Sequence, residues 1–497
     1  MPVNDSEIKF LAFNYYRNSN GEDQSITDGV SIGETIACVL WQGFASIAHY
    51  YEEFNTESPR TKQLDLQSDA SRLRQKVASV FYKVTTTAAP SGHYQNDESF
   101  LQSSHLPVAP FVRFFRIVQF PLKYWIRHKS VLFITNWATQ SIARSQQDSI
   151  ELFRKSLFSG AAPIIKRKHI RHGEIIFVET VEDLFSRNRF VEALARFDSQ
   201  WDEALLELCV SYAKNIYAEM RPQLVKCFAL YSDLLDNYRP RVCCLPSDSF
   251  PNWLIVYQIC RTRGIRTRSY VDGYPVTAIW PIARDRSGLG WLVDEVAAFG
   301  DAHKKMVLDL GFPEERIFLV EAPFAKLQRK NTPQYDFIIM SWFANCFSMY
   351  GNHLSVVSTM KSALDIVLSS GAKSVGIKIK TPVEKMYILP LLRDFPIQVD
   401  ILEGRFFEHA TKAKAVIGGI STALAESTIA GVPYYIFEPY ENGYSDENLR
   451  TSVVTKLENI ARTPSELICL IASNKSSWTA TLNNLLSEKN VEPRIGI

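Results

Sequence analysis

The sequence predicts an α/β protein built on parallel sheets and divided into two domains, and three observations lead there. At 497 residues the chain exceeds the size at which a single hydrophobic core keeps growing. From Arg239 onward, short apolar runs alternate with helical segments, the rhythm of strands joined by crossover helices. After Pro323 a polar connector, AKLQRKNTPQY, interrupts that rhythm, which then starts afresh. The boundary is placed in this connector. The expected domains are residues 1–325, with a helical insertion at about 149–238, and residues 326–497, including a C-terminal tail.

Taken in order, the first element is an expected strand over Ile8–Phe13, followed by the polar loop NYYRNSNGEDQSITDG. A helix is expected from about Glu34 to Glu53. Val84–Pro107 is poor in large aliphatic residues and rich in turn formers, and reads as a loop or flap. KSVLFIT, Lys129–Thr135, reads as a strand leading into a helix, and Ser149–Tyr238 reads as mainly helical from its three- and four-residue apolar spacing. RVCCLP, GIRTRSYVD, EVAAFG and RIFLVEAP then supply strands, with LIVYQICRTRG and AHKKMVLDLG as helices between them. Gly264-Ile265 and Gly311-Phe312 stand where a helix stops and the chain turns into the next strand. In the second domain the expected strands are DFIIMSW, SVGIKIK, IQVDIL, AVIGG and PYYIFE, separated by helices such as SVVSTMKSALDIVLSSG and STALAESTIAG.

Composition excludes several classes. With 46% hydrophobic and 22% charged residues the chain reads as an ordinary globular protein, and a net charge of +2 gives no global field for nucleic acid. The start, MPVNDSEIKF, lacks the pattern of a signal peptide. Val30–Tyr51 carries Glu34, Gln42 and His49, too polar for a membrane span. The 8 cysteines form no CxxC pair, so buried thiols and a cytoplasmic location are expected.

The most informative stretch is VIGGISTALAESTIAGVPYYIF, Val416–Phe437. In an open parallel sheet, ligands bind outside the carboxyl ends of the strands. Gly418-Gly419 stands at such an end, and Ser421-Thr422 opens the next helix, where unpaired N–H groups and the helix dipole suit a phosphate. Neither hydroxyl has Glu or Gln three residues on, so no capping box explains both; one can cap the helix while the other faces a ligand. Glu426 lies one turn beyond Thr422 on the same helix face, where a carboxylate could accept from ribose hydroxyls. Caps and turn glycines also occur in α/β domains that bind nothing. Rival readings fail on residues. A nucleophile elbow at Ser421 needs a histidine after it, and the last histidine is His409. The chain has no GxxxxGK[ST], no GxGxxG after a strand, no HExxH and no paired-Cys zinc spacing.

The second half resembles the GT-B glycosyltransferases that build bacterial capsules and other surface polysaccharides, including sialyl- and Kdo-transferases. The resemblance runs over about 240 residues, Arg239 to Trp478, through DEVAAFGDAHKKMVLDLGFPEERIFLVEAP, SVGIKIKTP and AVIGGISTALAESTIAGVPYYIF. It implies a GT-B-like fold, two Rossmann-like α/β domains facing a central cleft, with a nucleotide-sugar donor and a glycan or lipid-linked glycan acceptor. No metal and no cofactor are implied. By match of position, Gly419, Ser421, Thr422 and Glu426 would bind the donor, with Lys378 or Lys380. The chain departs from the family in having Lys378-Ile379-Lys380-Thr381-Pro382 where a histidine precedes the proline, and Asp272-Gly273 where relatives carry His-Gly.

A first-domain carboxylate would take the acceptor proton. Asp248 and Asp272 lead as candidates, with Asp23 and Asp28 behind them; His49 reads as an ordinary helix residue. CRTRGIRTRSY places Arg266 and Arg268 on one face of a strand, with Asp272, suited to an acidic group. Residues 111–129, FVRFFRIVQFPLKYWIRHK, mix six aromatics with five Lys/Arg and could lie at a membrane interface, although buried aromatics with snorkelling cations fit the same pattern. KRKHIRH, Lys166–His172, is a second basic patch. The expected function is transfer of a sugar from a nucleotide-activated donor to a surface glycan or glycolipid at the inner face of a membrane. A CMP-linked acidic sugar such as sialic acid or Kdo is favoured, with UDP- and GDP-hexoses open. A nucleotide-sugar 2-epimerase and a catalytically inactive binding protein are the alternatives.

Overall fold

The computed structural model describes residues 3, 5–56, 131–135, 149–153, 167–178, 184–245, 251–270, 292–309, 311–320, 332–341, 353–379, 384–393, 395–439 and 459–475. The first element, α1 (Asp5–Asn14), is a helix and corrects the strand expected over Ile8–Phe13. Ile8, Leu11, Ala12 and Tyr15 are all buried, and their spacing of three, four and seven is helical. An antiparallel pair, β1 (Ile26–Thr27) and β2 (Val30–Ser31), turns on Asp28 and Gly29, both at positive φ. Helix α2 (Ile32–Thr56) follows and buries Ile36, Leu40, Trp41 and Phe44.

The next elements build the first sheet. Strand β3 (Val131–Thr135) pairs with β4 (Ser149–Phe153). The latter corrects the start of the helical stretch expected from Ser149, because a five-residue run is too short for apolar period to separate strand from helix. Helices α3 (Arg167–Val178), α4 (Arg187–Arg196) and α5 (Glu203–Tyr238) follow. Asp202 caps α5 by accepting the Ala204 N–H at 2.8 Å. Then come β5 (Val242–Leu245), α6 (Pro251–Thr262), β6 (Arg266–Tyr270), β7 (Glu295–Ala298), α7 (Asp301–Asp309) and β8 (Ile317–Leu319). Gly264 and Gly311 take positive φ of 64° and 85° at the two helix-to-strand turns.

The second sheet holds β9 (Tyr335–Met340), α8 (His353–Ser369), β10 (Val375–Lys378), α9 (Lys385–Leu392), β11 (Val399–Leu402) and α10 (Phe406–Ala410). It continues with β12 (Ala413–Gly418), α11 (Ala423–Ile429), β13 (Tyr434–Phe437), β14 (Ile460–Ala461) and α12 (Pro464–Ala472).

Among the described residues both sheets have six strands, all parallel. The first runs β4-β3-β5-β6-β7-β8 and the second β11-β10-β9-β12-β13-β14. Numbered from its own first strand, the second is 3-2-1-4-5-6, the Rossmann order, with its topological switch between β9 and β12. Strands buried on both faces carry nearly unbroken apolar runs, as in VCCL and YYIF, where every residue is buried. Period two divides the packing: Cys243 and Leu245 join the helical core, whereas Val242 and Cys244 join a cluster that also holds Ile338, Val416, Tyr434 and Ile436 of the second sheet. A third cluster covers the other face of the second sheet through Ile339, Ile377, Ile417 and Phe437. Among the described residues no helix is long and apolar enough to cross a membrane.

Candidate functional site

The stretch singled out in the sequence lies at the switch of the second sheet. Strand β12 ends at Gly418, beside Met340 at the end of β9, and the Ser341 N–H donates to the Lys378 carbonyl at the end of β10 (2.9 Å). Three strand ends therefore meet there, on the carboxyl side.

The turn after β12 is built by hydrogen bonds that reach across the sheet. A Cβ at Gly418 would lie 2.4 Å from the Tyr434 hydroxyl and 2.7 Å from Met340 Cβ, so this glycine makes room for the protein's own packing. The Tyr434 hydroxyl donates to the Gly419 carbonyl at 2.7 Å. Ser421 Oγ accepts the Ala423 N–H at 3.3 Å and also bonds with the Tyr434 hydroxyl. Thr422 makes no capping bond and is exposed. Ser421 therefore supports the turn, while the Thr422 side chain is exposed.

Beneath the turn lie two buried ionisable side chains. Glu426 on α11 is 6% exposed, as is Lys378. The Phe407 N–H, in the first turn of α10, donates to the Glu426 carboxylate, whereas Glu426 Oε2 is buried without a hydrogen-bond partner. Burial raises the Glu426 pKa to about 7, against the lowering effects of the Lys378 ammonium and the Phe407 N–H. Lys378 Nζ also donates to the Ile379 carbonyl. An uncompensated carboxylate oxygen in such a place is costly unless something supplies a donor.

Sequence reasoning missed Glu438, one residue beyond β13. Its Oε1 accepts the Ile420 N–H at 2.9 Å, and its carbonyl accepts Arg462 Nη1 at 3.0 Å. Burial raises this carboxyl to about 7 as well, with the Ile420 N–H and Arg462 acting in the opposite direction. The signal was available: a carboxylate just past an apolar run, at the same sheet edge, is the criterion that selected Asp248 and Asp272.

The remaining candidates fall elsewhere. Asp248, Asp272, Lys380, the Val84–Pro107 loop and residues 111–129 lie outside the described residues. Arg266 and Arg268 do share a face, since both approach Glu295: Arg268 Nη2 at 2.6 Å and Arg266 Nη1 at 3.7 Å. Arg268 is buried, stacks over the Phe318 ring at 4.1 Å, and is engaged by Glu295 through Nε at 2.8 Å as well. Arg266 pairs in register with Val242, the first residue of β5, and so stands at the amino edge of the first sheet. Asp23 accepts the Ser25 N–H at 2.7 Å and the Ser31 hydroxyl, and Asp28 meets His172 Nε2 at 2.8 Å. Their loop follows a helix, not a strand, and packs Gly29 against Thr262 at the end of α6, again the amino edge. Asp23 and Asp28 are therefore turn-building residues, which corrects their placement at a strand's carboxyl end.

No protein-family model matches the chain, and no curated protein matches it. Among solved structures, the UDP-GlcNAc 2-epimerase from Methanocaldococcus jannaschii in complex with UDP-GlcNAc and UDP aligns at 12% identity and a TM-score of 0.40, covering 71% of this chain and 96% of that one. The UDP-GlcNAc 2-epimerase from Neisseria meningitidis bound to UDP-GlcNAc aligns at 8% identity and 0.37, covering 69% and 90%. The lipopolysaccharide outer core galactosyltransferase WaaB aligns at 10% identity and 0.30, covering 53% and 74%. The first two are epimerases of UDP-GlcNAc and the third is a galactosyltransferase. Likeness at these TM-scores transfers no residue role to this chain.

Proposed function

We propose that the carboxyl edge of the second sheet binds a nucleotide-activated sugar and that the chain is a glycosyltransferase, with domains of residues 1–325 and 326–497 facing a central cleft. The observation that carries this reading is Glu426: a buried carboxylate with an unpartnered Oε2, beside Lys378, at the switch point of a Rossmann-ordered sheet. Ribose hydroxyls would supply the missing donors to Glu426. Thr422 Oγ1 would donate to the donor phosphate, and Lys378, with Lys380, would offset the charge that grows on the leaving nucleotide. In the transfer step an acceptor hydroxyl oxygen bonds to the anomeric carbon, the bond from that carbon to the nucleotide phosphate oxygen breaks, and the hydroxyl proton passes to Asp248 or Asp272. Arg266 stands at the amino edge of the first sheet and Arg268 is buried against Glu295, so an acidic sugar at this site would need other cations, and the donor class is best read from the nucleotide that binds. Residues 111–129 would hold the enzyme at a membrane carrying a lipid-linked acceptor.

The test is turnover of CMP-, UDP- and GDP-sugars with and without a glycan acceptor. Acceptor-dependent release of nucleotide, lost in Glu426→Gln, supports transfer. Sugar isomerisation without acceptor identifies a 2-epimerase instead, and no turnover of any donor leaves a binding protein.

A further inference from the structure

One peptide unit at the candidate site is gripped from both sides. The Gly419 carbonyl and the Ile420 N–H belong to the same planar amide, and they point in opposite directions from it. The carbonyl accepts from the Tyr434 hydroxyl at 2.7 Å, and the N–H donates to Glu438 Oε1 at 2.9 Å. Both partners come from one strand and its immediate extension. Tyr434 and Glu438 are four residues apart, an even spacing that puts both side chains on the same face of β13. Tyr434 is fully buried and Glu438 is 7% exposed, so water does not compete for either bond.

The grip is itself anchored. The Glu438 N–H donates to the Ala461 carbonyl at 2.9 Å, and Arg462 Nη1 bonds the Glu438 carbonyl at 3.0 Å. Strand β14 thereby holds the residue that holds the turn. On the other side, Gly418 lets the Tyr434 hydroxyl reach the backbone, because a Cβ there would sit 2.4 Å from it. A turn that leaves a strand end would otherwise be free to rotate this amide, since a paired flip of ψ at Gly419 and φ at Ile420 leaves the chain path nearly unchanged. The two bonds select one orientation.

We propose that Tyr434 and Glu438 are positioning residues that clamp the 419–420 amide and thereby preset the turn so that the Thr422 hydroxyl faces the phosphate of the ligand. Neither residue touches that ligand. They act through the backbone, and the inference rests on the phosphate-binding reading given above. A preset turn needs no reordering when the ligand arrives, and that saving appears as affinity.

The experiment measures affinity for UDP, CMP and inorganic pyrophosphate in the full chain and in Glu438→Ala, Glu438→Gln and Tyr434→Phe, with far-UV circular dichroism confirming the fold of each. Amide hydrogen exchange at Ile420 is followed in parallel, without ligand. Glu438→Ala is expected to weaken binding about tenfold, corresponding to about 1.4 kcal/mol, and to expose the Ile420 amide to exchange. Glu438→Gln keeps a carbonyl oxygen that can accept this N–H, and is expected to restore both affinity and protection. Tyr434→Phe, which keeps the ring and loses the hydroxyl, is expected to weaken binding while leaving the ring's packing intact. Wild-type binding with equal affinity in Glu438→Ala overturns the clamp and leaves the nucleotide site standing. Failure of Glu438→Gln to rescue overturns it too. If the wild type binds none of the three probes, the phosphate-binding reading falls and the clamp loses its role, whatever the exchange at Ile420 shows.

Discussion

Replacing Glu426 by Gln should halve the pH dependence of stability that two buried carboxyls impose. Glu426 and Glu438 both rise from an ordinary 4.5 to about 7, with burial as the largest cause. Between those values the folded chain holds a proton that the unfolded chain has released. Stability therefore falls as pH rises from about 4.5 to about 7, and the benefit of the neutral acids is fully present only below that window. One pKa unit is about 1.4 kcal/mol, so each carboxyl accounts for about 3 kcal/mol across the window. Urea denaturation of the wild type at pH 4.5 and pH 8, followed by circular dichroism, should differ by about 6 kcal/mol from these two groups. In Glu426→Gln the difference should shrink by about 3 kcal/mol, because the amide does not titrate. An unchanged difference would refute the reasoning: Glu426 would then be ionised in the folded chain throughout, paired with Lys378 or open to water.

Further outcomes follow from the same geometry. Gly418→Ala should destabilise the chain by about 1–3 kcal/mol in urea denaturation, since the new methyl meets Tyr434 and Met340. Arg268→Met should cost about 3 kcal/mol by leaving Glu295 without its buried partner, whereas Arg266→Met, at a half-exposed pair, should cost less than about 1 kcal/mol. Thr422→Ala should leave stability within about 0.5 kcal/mol, because its hydroxyl makes no capping bond, and should abolish any shift in melting temperature induced by a nucleotide. Nucleotide binding that engages Glu426 Oε2 favours the ionised carboxylate, so calorimetry near pH 7 should record proton release, and affinity should rise with pH through about 7.

The strands after Arg239 were legible because a parallel sheet buries both faces, and RVCCLP and PYYIFE carry that burial as unbroken apolar runs. Gly264 and Gly311 marked helix ends through the left-handed φ they alone adopt easily. Near the start, IKFLAF satisfied a strand reading only because Tyr15, which completes the helical spacing, was assigned to the loop. At the site, Ser421, Thr422, Glu426 and Lys378 were readable from their position at strand ends. Glu438 stood at the same kind of position, but its bond to Ile420, 18 residues away, and the role of Tyr434 were not readable, since both arise only when β13 lies beside β12. The engagement of Arg268 by Glu295 is equally a product of strand pairing, across 27 residues.

The most direct test is thermal unfolding of the full chain with CMP, UDP, GDP, CDP and ADP at equal millimolar concentration, repeated with Thr422→Ala. A ligand present at about 100 times its dissociation constant stabilises the folded state by about 2.7 kcal/mol. One nucleotide should raise the transition in the wild type and not in the variant, and its base then names the donor class. If no nucleotide moves the wild-type transition, the turn from Gly419 to Glu426 is a packed connection between β12 and β13, and the donor site is not there.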